Sequence, residues 1–197
     1  MKKLVLVVIT LFLVACQSQT VQPENELHAQ VNDVDYLQLG QQHAQQAQLK
    51  LGSNLKKAMQ ENGPVGALSF CHEQAIPLTD SVVAGDLLRL KRVSDKNRNP
   101  GNVPNADELA YIKQAKSQLA SGETPGGMVH EVNKQMVAYY PIVTQPGCLQ
   151  CHGSPESDIA PETLQAINKY YPKDKATGFD VNQLRGIWVV TMAKQNN

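Results

Sequence analysis

Residues 146–153 read Pro-Gly-Cys-Leu-Gln-Cys-His-Gly, and this run constrains the fold more than any other part of the chain. Cys148 and Cys151 are three positions apart with His152 beside the second thiol, the C-x-x-C-H arrangement of c-type haem attachment. Two thiols at this spacing add to the two vinyl groups of one porphyrin edge, and the adjacent imidazole is then brought beneath the iron as proximal ligand. A domain built around such a run must leave room for a large apolar ring. Composition agrees: aromatic residues are only 5% of the 197, so an aliphatic core alone is modest and a bound apolar group helps to fill it.

Two other uses of the same thiols are open. A thiol oxidoreductase would use Cys148 and Cys151, but such pairs usually open a helix, whereas Gly147, Gly153 and Pro155 bracket this one as a loop. A structural zinc site would take Cys148, Cys151 and His152 with Cys71 as a Cys3His set. The lone C-x-x-C and the exported context favour haem over both.

That context comes from residues 1–16. Lys2 and Lys3 precede an apolar run too short to span a membrane comfortably, and the run ends in Leu13-Val14-Ala15-Cys16. This resembles a bacterial lipoprotein signal over residues 1–15, with Cys16 as the acylated anchor after cleavage. Gln17, not being aspartate, favours the outer membrane where the host has one. The expected organisation is therefore a signal (1–15), a polar flexible tether (16–34) and one c-type haem domain (35–197), lipid-anchored on the periplasmic side. With 18 Lys+Arg against 18 Asp+Glu there is no electrostatic case for nucleic acid.

Helix formers fill 35–61 up to Gly63, and Pro64 opens a second helix whose apolar stripe is Leu68, Cys71, Ala75, Leu78 and Val82, with Pro77 as a kink or early end. His72 lies at the polar flank. Leu87 to Ser94 reads as a half-buried strand with Leu88, Leu90 and Arg92 on the apolar side. Asn105 and Glu108 look like the cap of a helix over 106–119. Strands follow over 128–133 and 135–143, then the cysteine loop, a helix over 161–170 and a last strand over 184–192. Helices first and antiparallel strands after them argue an α+β fold. No glycine-rich phosphate loop or H-E-x-x-H is present, and Ser53-Asn54-Leu55-Lys56 has no supporting motif, so no enzyme is expected.

If Cys16 is acylated and Cys148 and Cys151 form thioethers, Cys71 is left without a thiol partner. It is then either an inert buried thiol or an iron ligand. The stretches F-C-H-E-Q-A (70–75), L-K-R-V-S (90–94), R-N-P-G-N (98–102), P-N-A-D-E (104–108), Y-Y-P-I (139–142), C-L-Q-C-H-G (148–153) and Y-P-K-D-x-A-x-G-x-x-x-x-x-L-R-G (171–186) resemble a family of exported bacterial c-type haem domains. That resemblance covers most of 35–193. It implies a PAS-like fold, one covalent haem, His152 as proximal ligand and Cys71 as the opposite one; from the residues themselves His72, Met128, Met136 and His130 stay open as alternatives to Cys71. Arg92, on an apolar strand face, and Arg98 are the expected partners of the haem propionates. A thiolate ligand stabilises Fe(III), so a low potential and loss of the sulfur on reduction are expected. Such behaviour suits a redox or small-gas sensor read by a separate protein; the alternative is plain electron transfer between periplasmic proteins.

Overall fold

A computed structural model describes residues 24–85 and 87–195, with side chains from residue 36 onward. The expected signal, Cys16 and the start of the tether lie outside the described residues. The elements are α1 (Glu24–Asp80), β1 (Leu87–Val93), α2 (Ala106–Ala120), β2 (Met128–Val132), β3 (Gln135–Val143), α3 (Leu149–His152), α4 (Pro161–Tyr170) and β4 (Leu184–Ala193). Among these, no helix is long and apolar enough to cross a membrane.

α1 is two helices joined at Gly63, whose φ of 63° and ψ of −170° place it in a region essentially open only to glycine. The expected stop at Gly63 is therefore a kink. The first limb begins at Glu24, inside the stretch expected to be a flexible tether, because Glu24, Glu26, Leu27, Ala29 and Gln30 are all compatible with helix. The second limb, 64–80, passes through Pro77 without ending there. Pro77 is exposed, so the missing N–H is not buried, and Ser81 N donates to the Pro77 carbonyl at 3.0 Å.

The four strands form one antiparallel sheet in the order β1-β4-β3-β2. β3 and β4 read as continuous apolar runs because both faces are covered. On one face Met136, Ala138, Tyr140, Trp188, Val190 and Met192 pack with Tyr36, Ala44, Ala47 and Ala75 of α1. On the other, Val137, Tyr139, Ile187 and Val189 pack with Tyr111, Ile112 and Ala115 of α2. This is the α+β, PAS-like arrangement expected from the sequence. The hairpin between β2 and β3 turns on Asn133 (φ 50°) and Lys134 (φ 63°), positive at both central positions as a type I′ turn requires.

α1 crosses the sheet closely at Gly40, where a Cβ would lie 2.5 Å from the Tyr140 hydroxyl and 3.2 Å from both Ala138 Cβ and Met192 Cε. The Tyr140 hydroxyl donates to the Leu37 carbonyl at 2.6 Å and fixes that crossing. α2 starts with the expected capping box: Asn105 Oδ1 accepts from Glu108 N and Glu108 Oε2 accepts from Asn105 N, both at 2.9 Å. Glu108 is also held by Lys91 at 2.7 Å.

β1 differs from expectation at one residue. An irregularity in its pairing with β4 between Leu87 and Arg89 turns Leu88 outward, 46% exposed, while Leu87 and Leu90 stay buried. Beyond this bulge the alternation holds, so Arg92 does share the α1 face with Leu90.

Candidate cofactor site

The run 146–153 is not the open loop its glycines and prolines indicate. Pro146–Cys148 forms a 3-10 turn and Leu149–His152 one turn of helix, closed by Gly153, whose N–H donates to the Leu149 carbonyl at 2.9 Å. A Cβ on Gly153 would lie 2.8 Å from that carbonyl oxygen and 2.6 Å from the Asp158 side chain. Cys71, Cys148 and Cys151 are all free thiols and all partly buried.

His152 is held by the segment that follows α4. Its Nδ1 lies 2.7 Å from the Ala176 carbonyl, Phe179 N donates to the His152 carbonyl at 2.9 Å, and Gly178 N to that of Gly153 at 2.8 Å. Phe179 meets the imidazole edge-on with 6.4 Å between centroids. Arg185 Nε is also 3.3 Å from Nδ1. A carbonyl oxygen only accepts, so the Nδ1 proton goes to Ala176 and Arg185 contributes charge rather than a hydrogen bond. This tautomer leaves the lone pair on Nε2. Burial foremost, then the charges of Arg185, Arg98 and Arg92, hold the imidazole well below its ordinary pKa, so it is neutral.

Arg92 and Arg185 come from neighbouring strands that meet at this end of the sheet, where Val93 pairs with Ile187. The Arg92 guanidinium stands over Trp188 at 5.4 Å and has no carboxylate within 4.0 Å among the described residues. Arg185 is likewise without an acid partner; its Nη1 donates to the Lys96 carbonyl at 3.1 Å and its guanidinium lies 5.5 Å over Phe179. Burial, with Arg98 and Arg92 close by, lowers Arg185 to about 10, and burial also lowers Arg92, with Cys71 and Tyr171 pulling the other way. Both remain cations at neutral pH.

Cys71, on the second limb of α1, faces the same site. Burial raises its thiol; Arg92 and Arg98 oppose this, and Cys151 adds to it. Burial likewise raises Cys151. Tyr171 closes this side, its ring under Arg98 at 5.9 Å and edge-on to His72 at 5.2 Å.

A family model described as Tll0287-like matches residues 16–193. The chain belongs to the Tll0287-like family. It is also similar to the solved structure titled as the crystal structure of the cyanobacterial heme-protein Tll0287, with a TM-score of 0.51 at 22% identity, over 89% of this chain and 99% of that one. No curated protein matches.

In this Tll0287-like chain the residues singled out from the sequence fall into two groups. Cys71 lies within electrostatic reach of Arg92 and Cys151, and His152 of Arg92, with Cys148 beside Cys151. Arg98 is present too, but in a different role: its Nε and Nη2 grip both oxygens of Asp174 at 3.0 and 3.1 Å, and Nη2 donates to the Cys151 carbonyl at 2.6 Å. It is a strut between segments, not an arginine awaiting an anion. Arg185, unassigned from the sequence, lies beside His152 with its Nη1 donating to the Lys96 carbonyl. Of the other ligand candidates, His72 stacks on Tyr170 at 5.0 Å and lies edge-on to Tyr171, Met136 is in the α1-side core, and Met128 packs beside α2. His130 is partly buried edge-on to Tyr139, 5.1 Å between centroids. Among the described residues no three His, Cys, Asp or Glu side chains are arranged to hold a metal ion, so the Cys3His zinc set is not formed.

Proposed function

We propose that the chain is an exported, lipid-anchored mono-haem protein of the c type, acting as a redox or small-ligand sensor. The observation that carries this is a buried imidazole, tied down through Nδ1 beside two free thiols at C-x-x-C spacing and flanked by two arginines that have no carboxylate within 4.0 Å among the described residues. The donor set fits haem c in each part. Cys148 and Cys151 would hold the porphyrin edge, His152 Nε2 would bind the iron, and Arg92 with Arg185 would neutralise the propionates. Bound haem supplies a one-electron iron centre. The solved relative is titled a heme-protein, which supports the same cofactor here.

The chain's own residues decide what that centre does. Cys71, on the limb of α1 that follows Gly63, would supply a second protein ligand to the iron, and burial raises its thiol. A thiolate stabilises Fe(III) over Fe(II), so a bond from Cys71 would weaken on reduction, and this favours sensing over electron transfer. Output would pass to a separate protein. Stopped-flow mixing of the reduced protein with CO tests the reading: a saturable CO complex with displacement of Cys71 supports a sensor, whereas iron that never takes CO makes the protein an electron carrier. Export and the anchor on Cys16 rest on residues 1–16 alone, and globomycin-sensitive processing of the full chain tests them.

A further inference from the structure

Three separate segments meet around one buried ion pair. Arg98 leaves the loop after β1, Asp174 lies in the segment after α4, and their side chains are only 10% and 7% exposed. The pair is bidentate, and neither partner stops at the other. Arg98 Nη2 also donates to the Cys151 carbonyl at 2.6 Å and reaches the Ala176 carbonyl at 3.4 Å. Asp174 Oδ1 also accepts from Ala176 N at 3.1 Å. Ala176 is the residue whose carbonyl takes the His152 Nδ1 proton. Lys175 N donates to the Asn97 carbonyl at 3.1 Å and closes the ring of segments.

We propose that Asp174 is the positioning residue of His152, acting with Arg98 as a brace that fixes the imidazole's orientation and donor strength. The inference rests on the haem reading for its purpose but not for its geometry. A carbonyl can hold an Nδ1 proton well only if it is itself held, and Ala176 is anchored on its N–H side by the Asp174 carboxylate. Arg98 ties that same carboxylate to the carbonyl of Cys151, the residue before His152, so both sides of the Nδ1–H···O bond share one support. Loosening the support lets the imidazole rotate and weakens the bond. A stronger bond gives the ring more imidazolate character and a better donor atom at Nε2.

The test uses protein matured in cells with the c-type haem system, labelled with 15N-histidine. Asp174→Asn keeps one acceptor and removes the charge; Arg98→Lys keeps the charge and removes the fork. Asp95→Asn, a charge near Arg185 that belongs to another ion pair, controls for electrostatics alone. Solvent exchange of the His152 Nδ1 proton should speed up about tenfold or more in Asp174→Asn and Arg98→Lys, the scale of losing a charge-assisted hydrogen bond, with a shift of the ferric EPR g-values. Asp95→Asn should match the parent in both. Exchange and g-values unchanged in both brace variants, or changed equally in Asp95→Asn, overturns the proposal. Should Asp174→Asn not fold, Arg98→Lys decides it alone. If the parent carries no haem, the functional reading fails while Nδ1 exchange in the colourless protein still judges the brace.

Discussion

Arg92 should change the sign of its contribution to stability when the cofactor is bound. In the haem-free chain its guanidinium has Trp188 at 5.4 Å and no carboxylate within reach among the described residues. An unpaired, fully buried ion costs several kcal/mol; Arg92 keeps part of its surface in solvent, which reduces this to about 2 kcal/mol. The contact with Trp188 offsets about 1 kcal/mol. Arg92→Leu should therefore stabilise the haem-free protein by about 1 kcal/mol, raising Tm by about 3 °C for a chain of this size. With a propionate alongside, the guanidinium gains a charge-assisted hydrogen bond of about 1.5–3 kcal/mol. The same substitution then costs about 0.5–2 kcal/mol and lowers Tm by about 2–6 °C. Thermal melts followed by circular dichroism, on protein produced with and without the c-type maturation system, measure both. Shifts of the same sign in the two forms would refute the assignment of an anion to Arg92.

Three further outcomes follow from the same geometry. Cys71→Ser should abolish the low-spin ferric EPR signal of the matured protein, whereas an unchanged spectrum removes Cys71 from the iron. Gly40→Ala should destabilise by about 1–3 kcal/mol through overpacking against Tyr140 and Met192, while Gly52→Ala, with nothing within 4 Å of the new Cβ, should stabilise by about 0.5–1 kcal/mol; urea titrations of the two compare them directly. His152, held neutral when folded and depressed below its ordinary 6.5, takes up its proton only on unfolding. Haem-free protein should therefore lose stability as pH falls below about 6.5, by up to about 1.4 kcal/mol per pH unit from this group, and His152→Phe should lose that slope.

Local signals survived best. α4 spans Pro161–Tyr170 as the sequence indicates, and the Asn105 cap opens α2, because caps, prolines and apolar periods act over a few residues. The face of Arg92 is legible because period-two alternation sets side-chain direction beyond the bulge. That of Leu88 is not, since a bulge depends on the partner strand. Arg98 is 76 positions from Asp174 in sequence, and only the tertiary fold shows that the acid is taken. One signal was there to be used: a buried arginine needs an anion, and Asp174 and Arg185 both stand in the stretch Tyr171 to Gly186. The start of α1 at Glu24 is not legible, because a polar stretch of good helix formers lacks the apolar period that marks a packed helix.

The intact mass of the denatured protein, made in cells able to attach haem c, bears most directly on the whole account. A single species heavier than the processed polypeptide by one haem, lost when Cys148 and Cys151 are both replaced by serine, is the expected result. Polypeptide at its bare mass, with the maturation system shown active on another cytochrome in the same cells, would contradict it.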